Sequence, residues 1–147
     1  MDSLRYLLMR SNAMFSRRIL TEVNKIGLTA GQPKVLDFLR THGEADQKTI
    51  ASYCVIEQAT VGSILLRMEK SGLIVRRQRE GNRRSLFVSL TDRGREAAGQ
   101  VAAIFEKTEA PVVSALTGEE LNTLRALLEK TCRILSDSTG KENLKND

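Results

Sequence analysis

The sequence predicts a mainly α fold carrying one small β-hairpin. Three observations support this. Apolar residues recur at helical spacing over most of the chain, most clearly within residues 58–71, where Val61, Ile64, Leu65 and Met68 fall at i, i+3, i+4 and i+7 on one face. Beyond Gly72 the pattern changes. Residues 73–79 and 85–90 are each about strand length and rich in β-branched or aromatic side chains, and Leu86, Val88 and Leu90 alternate with Ser85, Phe87 and Ser89. Third, between Gln58 and Arg84 stand seven cations (Arg67, Lys70, Arg76, Arg77, Arg79, Arg83, Arg84) against two anions (Glu69, Glu80), an excess of five. The whole chain carries 23 Lys+Arg and 18 Asp+Glu, also an excess of five, so all of the net charge sits on this stretch.

From the start of the chain, residues 4–26 read as a helix. Its apolar positions (Leu4, Leu7, Leu8, Met14, Phe15, Ile19, Leu20, Val23, Ile26) cover more than one stripe, more than a small domain buries by itself. Gly27-Leu28 breaks it. Thr29-Ala30-Gly31-Gln32 fits a capping box, and Pro33 stands in the first turn of a second helix that presents Val35, Leu36 and Leu39 and stops at His42-Gly43. His42, the single histidine, sits where a helix C-terminus favours a cation or a polar cap. Asp46 is placed to cap a short helix over 47–54, joined through Val55, Ile56 and Glu57 to the helix over 58–71, which Gly72 ends. The link Glu80-Gly81-Asn82-Arg83-Arg84 offers Gly and Asn for positive-φ turn positions and places two arginines at or near a hairpin tip.

Thr91 is placed to cap a long helix through Ala97, Val101, Ile104 and Phe105, with Pro111 marking its end or a kink. Thr117-Gly118-Glu119-Glu120 is a second capping box. After it Leu121, Leu124, Leu128 and Leu135, with Leu127 and Cys132 beside them, form an apolar stripe. From Asp137 onward the chain is polar and expected to fray.

At 147 residues, 41% hydrophobic and 28% charged, the chain has the length of one domain and can bury a core. It has no apolar run of the roughly 18 residues a membrane span needs and no leader-like N-terminus, so a cytoplasmic protein without a membrane partner is expected. Cys54 and Cys132 stand far apart in apolar helical patterns, as buried thiols in a reducing compartment do. There is no nucleophile elbow, phosphate-cradling glycine loop or metal-ligand spacing, so neither an enzyme, a cofactor nor a metal is expected.

A helix, a turn, a second helix and a basic hairpin make a winged helix-turn-helix, in which the second helix enters the DNA major groove and the hairpin reaches the flanking backbone or minor groove. The exposed face of residues 58–71 suits a groove, being small, hydrogen-bonding or cationic. The candidate DNA contacts are Gln58, Ala59, Thr60, Ser63, Arg67 and Lys70 on the helix and Arg79, Arg83 and Arg84 on the wing. The domain plan is a winged core over about 29–91, dimerisation helices over about 2–26 and 92–136, and a polar tail over 137–147. Apolar helices at both ends of the chain point to a two-fold homodimer, and so to a pseudo-palindromic site with half-sites about one helical turn apart.

Thr60-Val61, Met68-Glu69-Lys70-Ser71-Gly72-Leu73-Ile74-Val75-Arg76, Asn82-Arg83-Arg84 and Val88-Ser89-Leu90-Thr91-Asp92-Arg93-Gly94 together resemble the multiple antibiotic resistance regulator (MarR) family, over most of the chain to about Leu135. The resemblance implies a dimeric transcription regulator of bacteria or archaea, more commonly a repressor, that is often released from double-stranded DNA by a small-molecule effector or by oxidation. The chain departs from the family pattern at Asn82, where an aspartate usually precedes the paired arginines, and at Gly62 and Ser63, where larger side chains are common. The resemblance also implies an effector cleft beside the winged domain. Tyr6, Phe15, Phe38 and Phe105 could line it, although each also fits a core position, and no charged anchor stands out. Two alternatives remain at this level: a winged helix whose basic hairpin meets an acidic protein, and a thiol-based redox regulator using Cys54 or Cys132.

Overall fold

The structure is a computed structural model and describes residues 1–145, without the side chains of 82–84 and 138–145. The described elements are α1 (Leu4–Asn24), α2 (Gln32–His42), β1 (Ala45–Asp46), α3 (Gln47–Cys54), α4 (Gln58–Lys70), β2 (Ile74–Arg79), β3 (Asn82–Leu90), α5 (Asp92–Ala115) and α6 (Gly118–Lys145). The chain divides into two compact units, Met1–Thr108 and Glu109–Asp147.

In the first unit, the local signals lead directly to the helix ends. Ser3 opens α1 by accepting the Tyr6 N–H on Oγ at 3.1 Å. The Thr29 N–H donates to Gln32 Oε1 at 3.1 Å, one half of the expected capping box, and Gly43 closes α2 at φ 80°. His42 fills the polar-cap role: its Nδ1 lies 3.3 Å from the Phe38 carbonyl and 2.8 Å from Thr41 Oγ1. The core gathers Val23 of α1, Val35 and Leu36 of α2, Ile50 of α3, Val61, Leu65 and Met68 of α4, Ile74 and Val88 of the sheet and Val101 of α5, all fully buried or nearly so.

The sheet differs from expectation in two ways. It has a third strand: the two residues of β1 pair antiparallel with β3, Ala45 against Val88 and Asp46 against Phe87, giving the order β1-β3-β2. Two residues are too few for any periodicity, and only the pairing makes them a strand. The hairpin link is also shorter than five residues. Gly81 at φ 82° lets Glu80-Gly81 close the turn, so Asn82 opposes Arg79 and β3 already runs through residues 82–84, with an irregularity between Gln78 and Arg79 absorbing the extra length.

Thr91 joins the sheet to α5. Its N–H donates to the Leu73 carbonyl at 3.1 Å, its hydroxyl donates to the Gly72 carbonyl at 2.6 Å, and the same oxygen accepts the Gly94 N–H at 3.0 Å. Gly94 consequently lies on the Leu73 backbone: a Cβ there would sit 1.9 Å from the Leu73 oxygen. Pro111 does not end α5, which continues to Ala115 with the proline inside it.

In the second unit, Thr117 and Glu120 complete a reciprocal capping box, with the Thr117 N–H donating to Glu120 Oε1 at 3.0 Å and the Glu120 N–H donating to Thr117 Oγ1 at 3.1 Å. Those bonds hold the Glu120 carboxyl below its ordinary 4.5. Helix α6 continues past Asp137 to Lys145, because polarity alone does not stop a helix and no proline follows Asp137. Leu124, Leu127, Leu128 and Leu135 are exposed within the single chain. Cys132, expected in a core, is exposed as well, since it rides on this uncovered stripe. No described helix is long and apolar enough by itself to cross a membrane.

Candidate nucleic-acid interface

Helix α4 is oriented by what it buries. Asp46 Oδ1 accepts the Thr49 N–H at 2.9 Å and so caps α3, and the bonds from Thr49 hold the Asp46 carboxyl below its ordinary 3.8. Val55 then takes a left-handed conformation, φ 56° and ψ 51°, with the Ile56 N–H donating to the Ala51 carbonyl at 3.0 Å. The chain turns by 111° between α3 and α4, within the range of helix-turn-helix pairs. With Val61, Leu65 and Met68 fully buried and Ile64 partly so, the rotation of α4 is fixed. Gln58, Ala59, Thr60, Ser63, Arg67 and Lys70 are all left exposed.

Leu66, which is not among the sequence-predicted contacts, is exposed on this face too, three residues from Ser63 and four from Lys70. Its signal was available, because it falls outside the period of Val61, Leu65 and Met68 and therefore points away from the core. The acid of this helix is neutralised: Glu69 Oε2 accepts from Arg76 Nε at 2.9 Å, which holds the Glu69 carboxyl below its ordinary 4.5.

On the wing, Arg79 lies with its guanidinium carbon 4.1 Å from the Phe87 ring centroid and its Nη2 3.7 Å from Glu44 Oε2. A wing arginine needs a carboxylate to brace it, and Asn82 cannot serve as one. Glu44 supplies one, from the segment just before β1. Arg77 is exposed, and among the described residues neither it, Arg67 nor Lys70 has an ion-pair partner. The side chains of Arg83 and Arg84 lie outside the described residues, although their backbone belongs to β3.

Comparison with known proteins supplies the family. Residues 28–86 match the MarR family model. The HTH-type transcriptional regulator PecS of Dickeya dadantii is 31% identical over 124 residues, covering 82% of this chain and 75% of PecS. The chain belongs to the MarR family. That family consists of DNA-binding transcriptional regulators, not enzymes. The structure is also similar to MepR of S. aureus in its DNA complex, with a TM-score of 0.83, 25% identity and coverage of 92% of this chain and 99% of that one. Rv2887 of Mycobacterium tuberculosis, an HTH-type transcriptional repressor, is 26% identical over 125 residues, covering 85% of this chain and 90% of Rv2887. Its complex with salicylic acid is similar at a TM-score of 0.70, with 25% identity and coverage of 89% and 97%.

This MarR-family chain has a cleft of about 510 Å³ behind α4, lined by Phe15 and Ile19 of α1, Lys34 of α2, Thr60 and Ile64 of α4 and Phe105 of α5. The structure thus brings together two of the four aromatic residues picked out from the sequence, Phe15 and Phe105. Phe38 is instead buried, stacked on His42 with ring centroids 4.7 Å apart and tilted against Tyr53 at 4.9 Å. Tyr6, in the first turns of α1, does not line the cleft. Lys34 is the cationic candidate the sequence alone did not single out. Cys54 is buried, and burial pushes its thiol pKa up, the wrong direction for a reactive thiolate.

Proposed function

We propose that the protein is a homodimeric repressor that binds a pseudo-palindromic promoter site and is released by a small-molecule effector. The exposed face of α4 is the observation that carries DNA reading. Gln58 stands at its start, where a paired hydrogen bond to adenine is within a side chain's reach, Leu66 and Ala59 offer apolar contact to a thymine methyl, and Arg67 and Lys70 close the face with charge. Arg79, Arg83 and Arg84 act from the wing on the backbone or the minor groove. The winged core spans about residues 29–91, and the remaining helices build the dimer. The exposed leucines of α1 and of α6 are the surfaces that a second copy covers. MepR on DNA and Rv2887 as a named repressor with salicylic acid support carrying these roles to this chain.

The effector site is the cleft behind α4, and Lys34 favours an anionic aromatic compound against Phe15 and Phe105. A regulator with these roles works in the cytoplasm, beside the chromosome. The test is to sequence genomic fragments retained by the purified protein and to titrate the enriched duplex at several salt concentrations. A steep linear fall of log affinity with log salt, together with a large excess over random duplex, is the expected result. Equal affinity for enriched and random duplex would instead favour an interaction module whose basic wing meets an acidic protein.

A further inference from the structure

Gln47 stands where four elements meet. The two residues before it form β1 and pair with Val88 and Phe87 at the base of the wing. Asp46 also caps α3 through the Thr49 N–H at 2.9 Å, so the first turn of α3 cannot slide along the sheet without losing both sets of bonds. Gln47 is thereby delivered to a fixed place, and from there its Nε2 donates to the Gln58 carbonyl oxygen at 3.2 Å. Gln58 opens α4. One turn on, Gly62 leaves the slot for this amide, because a Cβ there would lie 3.2 Å from Gln47 Nε2, tighter than ordinary van der Waals contact.

We propose that Gln47 is a positioning residue for base reading, tying the first turn of α4 to the sheet that carries the wing. The inference rests on the DNA-binding reading above. Core packing under α4 is non-directional and holds the helix down. A hydrogen bond to its first carbonyl fixes where that end stands along the groove. Base-edge contacts need placement within about 0.5 Å, whereas phosphate contacts orient the protein without reading sequence. Removing the tie therefore lowers discrimination and leaves the sequence-independent part of binding in place. The absence of a Cβ at Gly62 leaves the space that the Gln47 amide occupies.

The experiment uses the full chain and a duplex that the wild type selects from a random-sequence pool, with an unselected duplex of equal length as reference. Gln47→Ala lowers affinity for the selected duplex by about tenfold, the size of roughly one misread base pair. It leaves affinity for the reference duplex unchanged and the unfolding midpoint within about 4 °C of wild type. Gly62→Ala displaces the amide and gives a similar loss. The double variant loses no more than Gln47→Ala alone, because the new methyl then meets an empty slot.

Equal losses on both duplexes at an unchanged midpoint would make Gln47 a phosphate contact, and parallel losses with a lowered midpoint would make it only a structural bond. Either result overturns the proposal, as does an unchanged ratio. Additive losses in the double variant would mean that a methyl at residue 62 strikes DNA, and the slot argument would fall. If the wild type selects no duplex at all, the regulator reading itself fails, in a manner distinct from every result on the variants, and this inference goes with it.

Discussion

Gly94→Ala and Gly99→Ala place the same methyl group five residues apart in α5, and they should move stability in opposite directions. At Gly94 the new carbon would stand 1.9 Å from the Leu73 carbonyl oxygen, whereas ordinary contact begins at 3.4 Å, so α5 and the turn before β2 must separate by 3.4 − 1.9 = 1.5 Å. That displacement breaks the bonds that Thr91 makes to Leu73 and Gly72, at 3.1 and 2.6 Å. Two bonds at about 1 kcal/mol each, overpacking of about 1–3 kcal/mol and a helix-propensity gain of about 1 kcal/mol leave a net loss of roughly 2–4 kcal/mol. At Gly99 a Cβ meets nothing within 4 Å, so only the propensity gain of up to about 1 kcal/mol remains. Urea denaturation followed by far-ultraviolet circular dichroism, at one fixed protein concentration, measures both. A Gly94→Ala variant as stable as wild type would refute the close approach of α5 to the Leu73 backbone, and a destabilised Gly99→Ala would refute the matching claim of open space.

Three further outcomes are expected. Arg83→Ala should weaken binding to specific and random duplex alike and flatten the salt slope by roughly 0.9 per lost contact, about twice that in a dimer with two wings; identical slopes would remove the wing from the DNA. Leu128→Ala should cost roughly 2–5 kcal/mol if a second copy covers it, seen in sedimentation equilibrium as a shift toward monomer, whereas an uncovered leucine would cost within about 0.5 kcal/mol. Asp46, Glu69 and Glu120 have carboxyls depressed in the folded state, so they contribute stability above their ordinary values of 3.8 and 4.5 that is lost as pH falls below them. Asp46→Ala should therefore cost about 1 kcal/mol at pH 7 and less near pH 3; an equal cost at both would show that the charge of the cap is irrelevant.

The features legible in the sequence were the ones written locally. Asp46, Thr91 and Thr117 each cap the helix that follows, as short-range patterns predict. The buried period of Val61, Leu65 and Met68 is enough to turn the opposite face of α4 outward. What escaped depends on partners distant along the chain. β1 exists only because Val88 and Phe87 lie opposite it. Glu44 braces Arg79, and Lys34 joins Phe15 and Phe105 at one cleft, without any sequence spacing to announce either. Asn82 and the two arginines read as loop residues, yet Asn82 pairs with Arg79 and the arginines follow it within β3, so the hairpin turn is shorter than the sequence suggests. Cys132 is exposed within the single chain although its apolar stripe implies burial, because such a stripe does not say which molecule covers it.

Val55 bears on how the chain can change over generations. A β-branched residue at φ 56° is held where L-residues with a Cβ are disfavoured by roughly 1–2 kcal/mol, yet its side chain is 87% exposed and packs no core. The strain disappears on unfolding, so the native state lies below the stability this backbone could reach. Glycine or asparagine at this position recovers part of that difference without touching the face of α4. Natural proteins sit just above the stability their function needs, and a stabilising exchange away from the reading surface widens the set of costly substitutions that surface can carry. If α4 reads bases as proposed, a lineage that relaxed Val55 first would be freer to test new side chains at Gln58, Ser63 or Leu66, and so to drift toward a different operator.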